Sequence, residues 1–290
     1  MENDKPAENE GMLYLCATPI GNLEDMTPRA VRILREADLI AAEDTRNSLR
    51  LLNHFQIHTP LTSYHEYNKI QKAQELVLRM KQGTKVALIT DAGMPGISDP
   101  GEDLVRMCLE ADIPVTCVPG ACAAVTALTI SGLPSRRFCF EAFLPREKRE
   151  RQAVLLELQK ETRTIILYEA PHRLKRTLKE LYEALGERRI ALCRELTKVH
   201  ETVSTAMLSE AIAFYEENEP RGEYVLVLSG TDRRELEREK QLAFQEQPLK
   251  EHLQCYLDSG MDRKEAMKAV AKDRGIPKRE VYQALLDDDE

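Results

Sequence analysis

The chain has 290 residues, of which 42% are hydrophobic and 31% are charged, a length that allows two ordinary α/β domains. Its formal net charge of -8 excludes a nucleic-acid binder that is basic over its whole surface, although local clusters of Lys and Arg can still meet phosphates. No apolar run approaches the roughly 20 residues that span a bilayer, and the N-terminal MENDKPAENE is acidic, unlike a secretory signal, so we expect a cytoplasmic protein.

Strands and helices alternate through the first 130 residues. The apolar run at 12–17 predicts a buried strand that ends in a Pro/Gly loop, and Thr27 with Pro28 is typical of a helix start. Further strands are predicted at 39–42, 86–90 and 115–118, with helices at 69–82, between 100 and 111, and at 120–130. This alternation predicts a mostly parallel sheet that helices cover.

A second set of strands and helices follows the chain break at 131–134. Apolar runs predict strands at 137–142, 164–168, 190–193, 203–206 and 224–228. Beyond Gly230 the sequence becomes strongly charged and then helical, with turns at Gly260 and Gly275. We predict two α/β domains with mostly parallel sheets, at 11–130 and 131–232, and a small helical tail at 245–287.

Three strands of the first domain end in loops rich in small residues. The loops read TPIG at 18–21, DAGMPGISDPG at 91–101 and VPGACAA at 118–124. Ligands of parallel α/β sheets bind at the carboxyl ends of the strands, and glycine lets a ligand approach the backbone closely. The chain lacks both GxGxxG and the P-loop motif, so the loops predict a site for neither NAD nor ATP.

The seven cysteines and six histidines show no spacing typical of metal ligands. We therefore expect no metal, and we interpret the cysteines as reduced residues of the core.

Six segments, taken in order and spacing, resemble the ribosomal RNA small subunit methyltransferase I family. They are TPIGNL at 18–23, DAGMPGISDP at 91–100, VPG at 118–120, YEAPHR at 168–173, RELTK at 194–198 and RGEYVLV at 221–227. The resemblance covers about residues 12–230, and the tail resembles that family's helix-turn-helix-like C-terminal domain. It implies the tetrapyrrole methylase fold, a homodimer, and S-adenosylmethionine bound between the domains. The implied reaction is 2'-O-methylation of a cytidine, expected to be cytidine 1402, of 16S rRNA in the 30S subunit.

The same resemblance implies which residues bind the cofactor. They are Pro19, Asp91, Gly93, Ile97, Ser98, Gly120, Ala121, Cys122, Ala123, Tyr168, Ala170, Gly222 and Glu223. A carboxylate such as Asp91 can accept from a hydroxyl or ammonium group of the cofactor, or it can cap its own loop.

A ribose hydroxyl needs a group that shares its proton or stabilises its negative charge. The first candidates are Glu195 and Lys198, followed by Glu169. Other candidates are His172, Arg194, Asp44 and Arg46. An ordinary surface ion pair explains each of them equally well.

RNA binding requires exposed cations and, for unpaired bases, aromatic rings. We expect RNA contacts from Arg46, Arg146, Arg149, Arg173, Lys278 and Arg279. Arg151 belongs to the same cluster as Arg146, and solvated helix faces are the alternative explanation. Tyr64, His65 and Tyr67 form either a base-stacking group or an ordinary helix entry.

Two other functions remain open at this point. A tetrapyrrole C-methyltransferase of the same fold would need cationic walls for an anionic macrocycle and no RNA-binding tail. A non-catalytic RNA-binding assembly module would bind RNA but not S-adenosylmethionine.

Overall fold

The computed structural model describes residues 10–287, so the acidic segment before residue 10 lies outside the described residues. The first sheet contains β1 (Met12–Cys16), β2 (Leu39–Ala42), β3 (Leu61–Ser63), β4 (Lys85–Ile89) and β5 (Val115–Val118). Its order is β3-β2-β4-β1-β5, and all of its strand pairs are parallel. The carboxyl ends of all five strands therefore lie along one edge.

Helices cover both faces of this sheet, as the sequence predicts. They are α1 (Pro28–Glu36), α2 (Thr45–His54), α3 (Lys69–Lys81) and α4 (Gly101–Glu110), and a short 3-10 helix occupies Leu23–Asp25. Successive residues of β4 belong to different cores, with Val86 packed among residues of α3 and α4 and Ala87 among residues of α1. Burial on both faces explains why the inner strands β2 and β4 are apolar almost throughout. Thr27 caps α1 by accepting from Ala30 N at 3.1 Å.

The second sheet contains β6 (Phe138–Phe143), β7 (Thr164–Glu169), β8 (Arg189–Arg194), β9 (Thr202–Met207) and β10 (Tyr224–Leu228). Its order is β6-β7-β10-β8-β9. Only the β6–β7 pair of these described strands is parallel, and the other pairs are antiparallel. The fold class is confirmed over the two sheets together, but the expectation of a mostly parallel second sheet was wrong. Residues 195–201 join β8 to β9, and so short a connection cannot make the crossover that a parallel pair needs.

The helix that follows the third loop joins the two sheets. This helix, α5 (Ala123–Ile130), buries Ala124, Ala127 and Leu128 against β7, β8 and β10 of the second sheet. The chain therefore starts to pack on the second sheet before residue 130. The other face of that sheet is covered by α6 (Lys148–Leu158), α7 (Pro171–Leu185) and α8 (Leu208–Glu217). The domain boundaries at 130 and 232 stay predictions.

The tail has a small core of its own. It contains α10 (Leu249–Asp258), α11 (Arg263–Arg274) and α12 (Lys278–Asp287), and the helix α9 (Arg233–Glu246) precedes it. Leu253, Val270 and Val281 meet in its centre. Gly275 ends α11 in the left-handed conformation, with φ 66° and ψ 28°, which explains the turn that the sequence predicts there.

Several features differ from the sequence-based expectations. The helix α2 and the three-residue strand β3 were not predicted. β3 is too short to show a period, whereas the apolar face of α2, which places Leu52 in the core, is present in the sequence and was missed. Cys117 and Cys255 are exposed, so these two residues do not belong to the core. Within residues 10–287 no helix combines the length and the apolar character needed to cross a bilayer.

Candidate active site

The loops after β1, β4 and β5 meet at the carboxyl edge of the first sheet. Thr18 N donates to Gly93 O at 2.9 Å, and Gly93 N donates to Thr18 O at 3.1 Å, so the first two loops are paired. Gly93 has φ +85°, and a Cβ there would lie 3.2 Å from Ile20 Cγ2 and 3.4 Å from Ala121 O of the third loop. A side chain at position 93 would therefore be strained and would crowd the meeting point of the three loops.

A cavity of about 320 Å³ opens beside these loops. Its first wall contains Ile20, Glu43, Thr90, Asp91, Ala92, Gly93, Met94, Ile97, Ser98, Asp99, Cys122 and Ala123. Its second wall contains Phe143, Tyr168, Glu169, Ala170, Cys193, Leu196, Lys198, Glu223, Tyr224 and Val225. The cavity therefore lies between the two sheets, and its size is at the lower end of small-molecule sites.

The second loop is held in shape by its own aspartate. The Asp99 carboxylate accepts from Gly96 N at 2.8 Å, Ile97 N at 3.1 Å and Gly101 N at 2.7 Å. Ser98 adopts φ 67°, a conformation that a non-glycine residue keeps only when its surroundings hold it. Asp99 is not among the residues predicted for the site, although an aspartate two residues before a helix start is typical of such a turn.

Tyr168 connects the second sheet to the third loop. Its hydroxyl accepts from Ala124 N at 3.2 Å, at the start of α5. Its ring lies edge-on to Phe140, with centroids 5.0 Å apart, and to Phe143, with centroids 5.6 Å apart. Burial raises the pKa of Tyr168 to about 12, so the hydroxyl stays neutral near pH 7.

Lys198 is the one Lys or Arg among the described residues that line the cavity, and two carboxylates hold it. Its Nζ lies 2.9 Å from Glu195 Oε1 and 2.9 Å from Glu223 Oε2. Burial opposes the charge of Lys198, but the hydrogen bonds to Glu223 and Glu195 outweigh it and raise its pKa. Burial likewise opposes the charge of Glu195, while the Glu223 N–H and the Lys198 ammonium together lower its pKa. Lys198 and Glu195 are therefore both ionised near pH 7.

Two glycines let the Lys198 loop take its position. A Cβ at Gly21 would lie 2.4 Å from Lys198 Cγ, and a Cβ at Gly222 would lie 2.5 Å from Glu195 Cγ. Gly222 also has φ +78°, and Glu195 itself has φ 52°. The first loop therefore contacts the Lys198 loop across the cavity, and the arrangement requires glycine on both sides.

The chain matches the profile of the family described as Tetrapyrrole (Corrin/Porphyrin) Methylases over residues 12–212. It is 49% identical over 278 residues to the ribosomal RNA small subunit methyltransferase I of Synechocystis sp., covering 96% of this chain and 98% of that protein. The chain belongs to the ribosomal RNA small subunit methyltransferase I family. The methyltransferase activity and the use of S-adenosylmethionine predicted from the sequence are confirmed by this membership.

A second relative supports the family, and a solved structure supports the fold. The protein of the same name from Thermotoga maritima is 46% identical over 222 residues, covering 77% of this chain and 100% of that protein. The fold is shared with the uroporphyrin-III C-methyltransferase of Thermus thermophilus, solved with S-adenosylhomocysteine, with a TM-score of 0.54. The two chains are 21% identical, and the match covers 76% of this chain and 97% of the other.

The cavity of this family member suits S-adenosylmethionine by the charge of its lining. The Asp91 carboxylate lines the cavity and matches a cofactor that carries sulfonium and ammonium charges. Asp91 accepts from Asp44 N at 3.2 Å and from Asn47 Nδ2 at 3.4 Å, which fixes its carboxylate at the end of β4.

The structure brings most of the predicted cofactor residues together. Those that line the cavity are Asp91, Gly93, Ile97, Ser98, Cys122, Ala123, Tyr168, Ala170 and Glu223. Pro19, Gly120, Ala121 and Gly222 do not line it. Gly120 lies behind the wall, where a Cβ would be 2.8 Å from Ala17 Cβ. Four further lining residues were not predicted, because their apolar or small side chains give no local signal of a binding role: Thr90, Met94, Cys193 and Leu196.

The predicted catalytic residues differ in their surroundings. Lys198 lines the cavity, whereas Glu195 lies behind it. Glu169 is 2% exposed, and its carboxylate accepts from Ala170 N at 2.8 Å and from the Thr177 hydroxyl. Arg173 Nε lies 3.5 Å from Glu169 Oε1 as well. The carboxylate of Glu169 is therefore occupied by the first turns of α7.

The predicted RNA-binding residues lie in three places. Arg46 is exposed at the start of α2, Arg146 and Arg149 are exposed around the start of α6, and Lys278 and Arg279 are exposed at the start of α12. Arg173 is different, because its guanidinium donates to Leu144 O at 2.8 Å and is half-buried.

Arg151 and Tyr64, which the sequence placed beside these residues, are buried and stabilise the fold. Arg151 is 3% exposed and donates to Pro145 O at 2.9 Å, so it holds the turn before α6. Tyr64 is 1% exposed and also belongs to the interior. Among residues 10–287 no cluster of three His, Cys, Asp or Glu side chains could hold a metal ion.

Proposed function

We propose that this chain transfers the methyl group of S-adenosylmethionine to a ribose 2'-hydroxyl of 16S rRNA, at cytidine 1402, in the small ribosomal subunit. The observation that carries the proposal is the 49% identity, over nearly the whole of both chains, with a protein named for methylation of small-subunit ribosomal RNA. The cavity supports it, because a cation stands at the wall opposite the cofactor loops.

The cofactor site in this proposal lies against the second and third loops. Asp91, Gly93, Ile97 and Ser98 hold one side of the cofactor, Cys122 and Ala123 hold another, and Tyr168, Ala170 and Glu223 close the site from the second sheet. Pro19, Gly120, Ala121 and Gly222 shape the wall without lining it. When bound, S-adenosylmethionine supplies a methyl group on a positively charged sulfur, which is the electrophile. Holding this group and the ribose in line supplies a large part of the rate.

Lys198 stabilises the negative charge that develops on the ribose oxygen. Its raised pKa keeps Nζ protonated, so it acts as a hydrogen-bond donor and not as a base. Glu195 acts as a positioning residue that orients Nζ. We propose that Glu169 is structural, since its carboxylate is already occupied by α7.

Glu43 is the residue we propose as the proton acceptor. It lines the cavity, and within the described residues its carboxylate receives one side-chain hydrogen bond, from Thr90 Oγ1 at 3.0 Å. Its other oxygen remains free to accept from a ribose hydroxyl, which is a poor nucleophile until its proton is shared.

The RNA would lie across the mouth of the cavity. Arg46 would contact it from the first sheet, and Arg146 and Arg149 from the second. Lys278 and Arg279 would add contacts from the tail. These side chains provide local positive charge on a chain whose net charge is -8. We propose no phosphate contact for Arg173, whose guanidinium binds Leu144 O.

A cytoplasmic homodimer is part of the same proposal. Large apolar side chains remain exposed on α5 and at the β6 edge, with Val125 52%, Ile130 44% and Phe138 41% exposed. Their burial against a second copy would supply the hydrophobic centre of an interface. Sedimentation equilibrium of the purified protein tests the dimer, and a monomer at micromolar concentration would contradict it.

Ribose-methylation mapping of 16S RNA tests the proposed reaction. The 30S subunits of a strain from which the gene is deleted are mapped before and after incubation with the purified protein and S-adenosylmethionine. We expect one 2'-O-methyl group to be absent and then restored. An unchanged map rejects the reaction and favours a non-catalytic RNA-binding module if the protein still binds 30S subunits. Methylation of uroporphyrinogen instead would favour the tetrapyrrole enzyme.

A further inference from the structure

The loop between β3 and α3, residues 64–68, lies beside the cavity. Tyr64 N donates to Ala42 O at 2.8 Å, directly before Glu43 in the cavity wall. The Tyr64 hydroxyl donates to Pro100 O at 2.8 Å, at the end of the second loop. Because β3 runs parallel to β2, this loop also lies at the carboxyl edge of the sheet. The loop is therefore attached next to two residues of the cavity wall, Glu43 and Asp99.

The loop is closed by hydrogen bonds and exposes one aromatic ring to solvent. Tyr67 is 98% exposed, whereas Tyr64 three residues earlier is 1% exposed. Asn68 Oδ1 accepts from His65 N at 2.8 Å, which closes the loop, and the His65 ring meets the Tyr67 ring edge-on at 6.1 Å. His65 Nδ1 is buried and has no hydrogen-bond partner among the described residues. The Tyr67 ring therefore stays in solvent after folding, although burial of an aromatic ring contributes favourable free energy.

Cations without partners lie on the neighbouring helix. Arg46 and Arg50 are exposed on α2, which begins at Thr45, two residues after Glu43. Within residues 10–287 neither guanidinium has an ion pair or a hydrogen bond, whereas Arg79 and Arg106 of α3 and α4 are both paired to carboxylates. The first-sheet side of the cavity mouth thus combines an unused aromatic ring with unpaired positive charge.

We propose that Tyr67 is a stacking platform for a nucleobase beside the target nucleotide, and that the phosphates of that strand pass over Arg46 and Arg50. The inference rests on the proposed function and adds that the substrate segment is single-stranded there. Unpaired RNA bases stack on tyrosine while arginines follow the backbone, whereas a duplex hides the faces of its bases.

Two tyrosine variants and one control test the platform. The probe is a protein-free single-stranded RNA that spans the target cytidine, with 2-aminopurine placed at each flanking position in turn. We expect wild type and Tyr67→Phe to quench the 2-aminopurine fluorescence at one of these positions. Tyr67→Ala should lose the quenching and bind about 5- to 150-fold more weakly, as expected for one base–aromatic stack. Tyr182→Ala, which removes a 41% exposed tyrosine near the end of α7, should behave as wild type.

The remaining outcomes separate this inference from the proposed function. Calorimetry with S-adenosylhomocysteine should give one dissociation constant for all four proteins, since Tyr67 does not line the cavity. The platform is overturned if wild type and Tyr67→Ala show the same quenching and the same affinity for the RNA, or if neither protein binds it. This holds even if wild type methylates 30S subunits. Failure of wild type to methylate 30S subunits overturns the proposed function and the platform together.

Discussion

Lys198 lines the cavity as a protonated donor that two carboxylates orient. Replacing it by methionine keeps the length of the side chain and removes the charge. Methyl transfer to 30S subunits should then fall about 10²–10³-fold, as when one preorganised donor is lost from a transition-state site. Lys179→Met, on the exposed face of α7, is the matched control and should retain the wild-type rate. A rate for Lys198→Met within about threefold of wild type would remove Lys198 from the mechanism.

The ion pair between Glu195 and Lys198 predicts a defined pH dependence of stability. The pKa of Glu195 is lowered in the folded state, so its contribution is present above the ordinary pKa of about 4.3 and is lost as the pH falls through the lower folded value. The pKa of Lys198 is raised, so its contribution is complete below about 10.4 and is lost above that. Denaturant titrations should therefore show a constant difference between wild type and Glu195→Gln from about pH 5 to 9. A difference that changes steadily across this window would contradict the assignment.

The close contact between position 222 and Glu195 predicts that this position requires glycine. Gly222 and Gly186 have φ +78° and +71°, but a Cβ at Gly222 would strike Glu195 while a Cβ at Gly186 meets open space. Alanine at either position should cost about 1–3 kcal/mol of unfolding free energy, because both glycines have a positive φ that a residue with a Cβ rarely adopts. Only Gly222→Ala should also lower methyl transfer, since it displaces Glu195 and hence Lys198. Equal activities of the two variants would show that the contact is unimportant.

Individual residues also mark the limit of sequence-based prediction. The sequence singled out Lys198 and Asp91, because both belong to motifs of the family. It could not show that Arg151 and Tyr64 are buried, since each finds its partner through a turn or loop that the local pattern does not define. Nor could it show that Glu169 is occupied by Thr177, eight residues later on the helix α7.

Among the elements, the second loop of the first sheet gives the cavity its shape. Asp99→Ala removes the acceptor of three backbone N–H groups in this loop, so we expect about 10-fold weaker binding of S-adenosylhomocysteine by calorimetry. Asp38→Ala is the matched control, because the Asp38 carboxylate also accepts from a backbone N–H, Lys85 N at 2.7 Å, at the opposite edge of the sheet. It should leave the affinity unchanged. Equal affinities of the two variants would show that Asp99 does not organise the site.

The strands show why element positions are easier to predict than their directions. The runs at 39–42 and 115–118 agree with β2 and β5 residue for residue, because short runs of apolar and β-branched residues bounded by polar loops define strands. The antiparallel pairs of the second sheet were not predicted, since hydrophobic pattern gives no direction. The direction follows instead from connection length, as the short link between β8 and β9 illustrates.

At the scale of the whole molecule, the cavity and the tail are built separately. All the residues that line the cavity precede residue 226, and the tail has its own hydrophobic core. Ending the chain after Asp232 should leave the affinity for S-adenosylhomocysteine unchanged within about twofold. It should raise the KM for 30S subunits by about 10-fold or more, since each lost phosphate contact weakens RNA binding. A truncated protein with the wild-type KM would show that Lys278 and Arg279 do not contact the substrate.

A crystal structure with S-adenosylhomocysteine tests the central claim, that the cofactor lies between the second and third loops and faces Lys198. We expect the ligand to contact Asp91, Gly93 and Ala123, with its sulfur turned toward the wall that contains Lys198. A ligand bound elsewhere, or one whose sulfur faces away from that wall, would contradict the account.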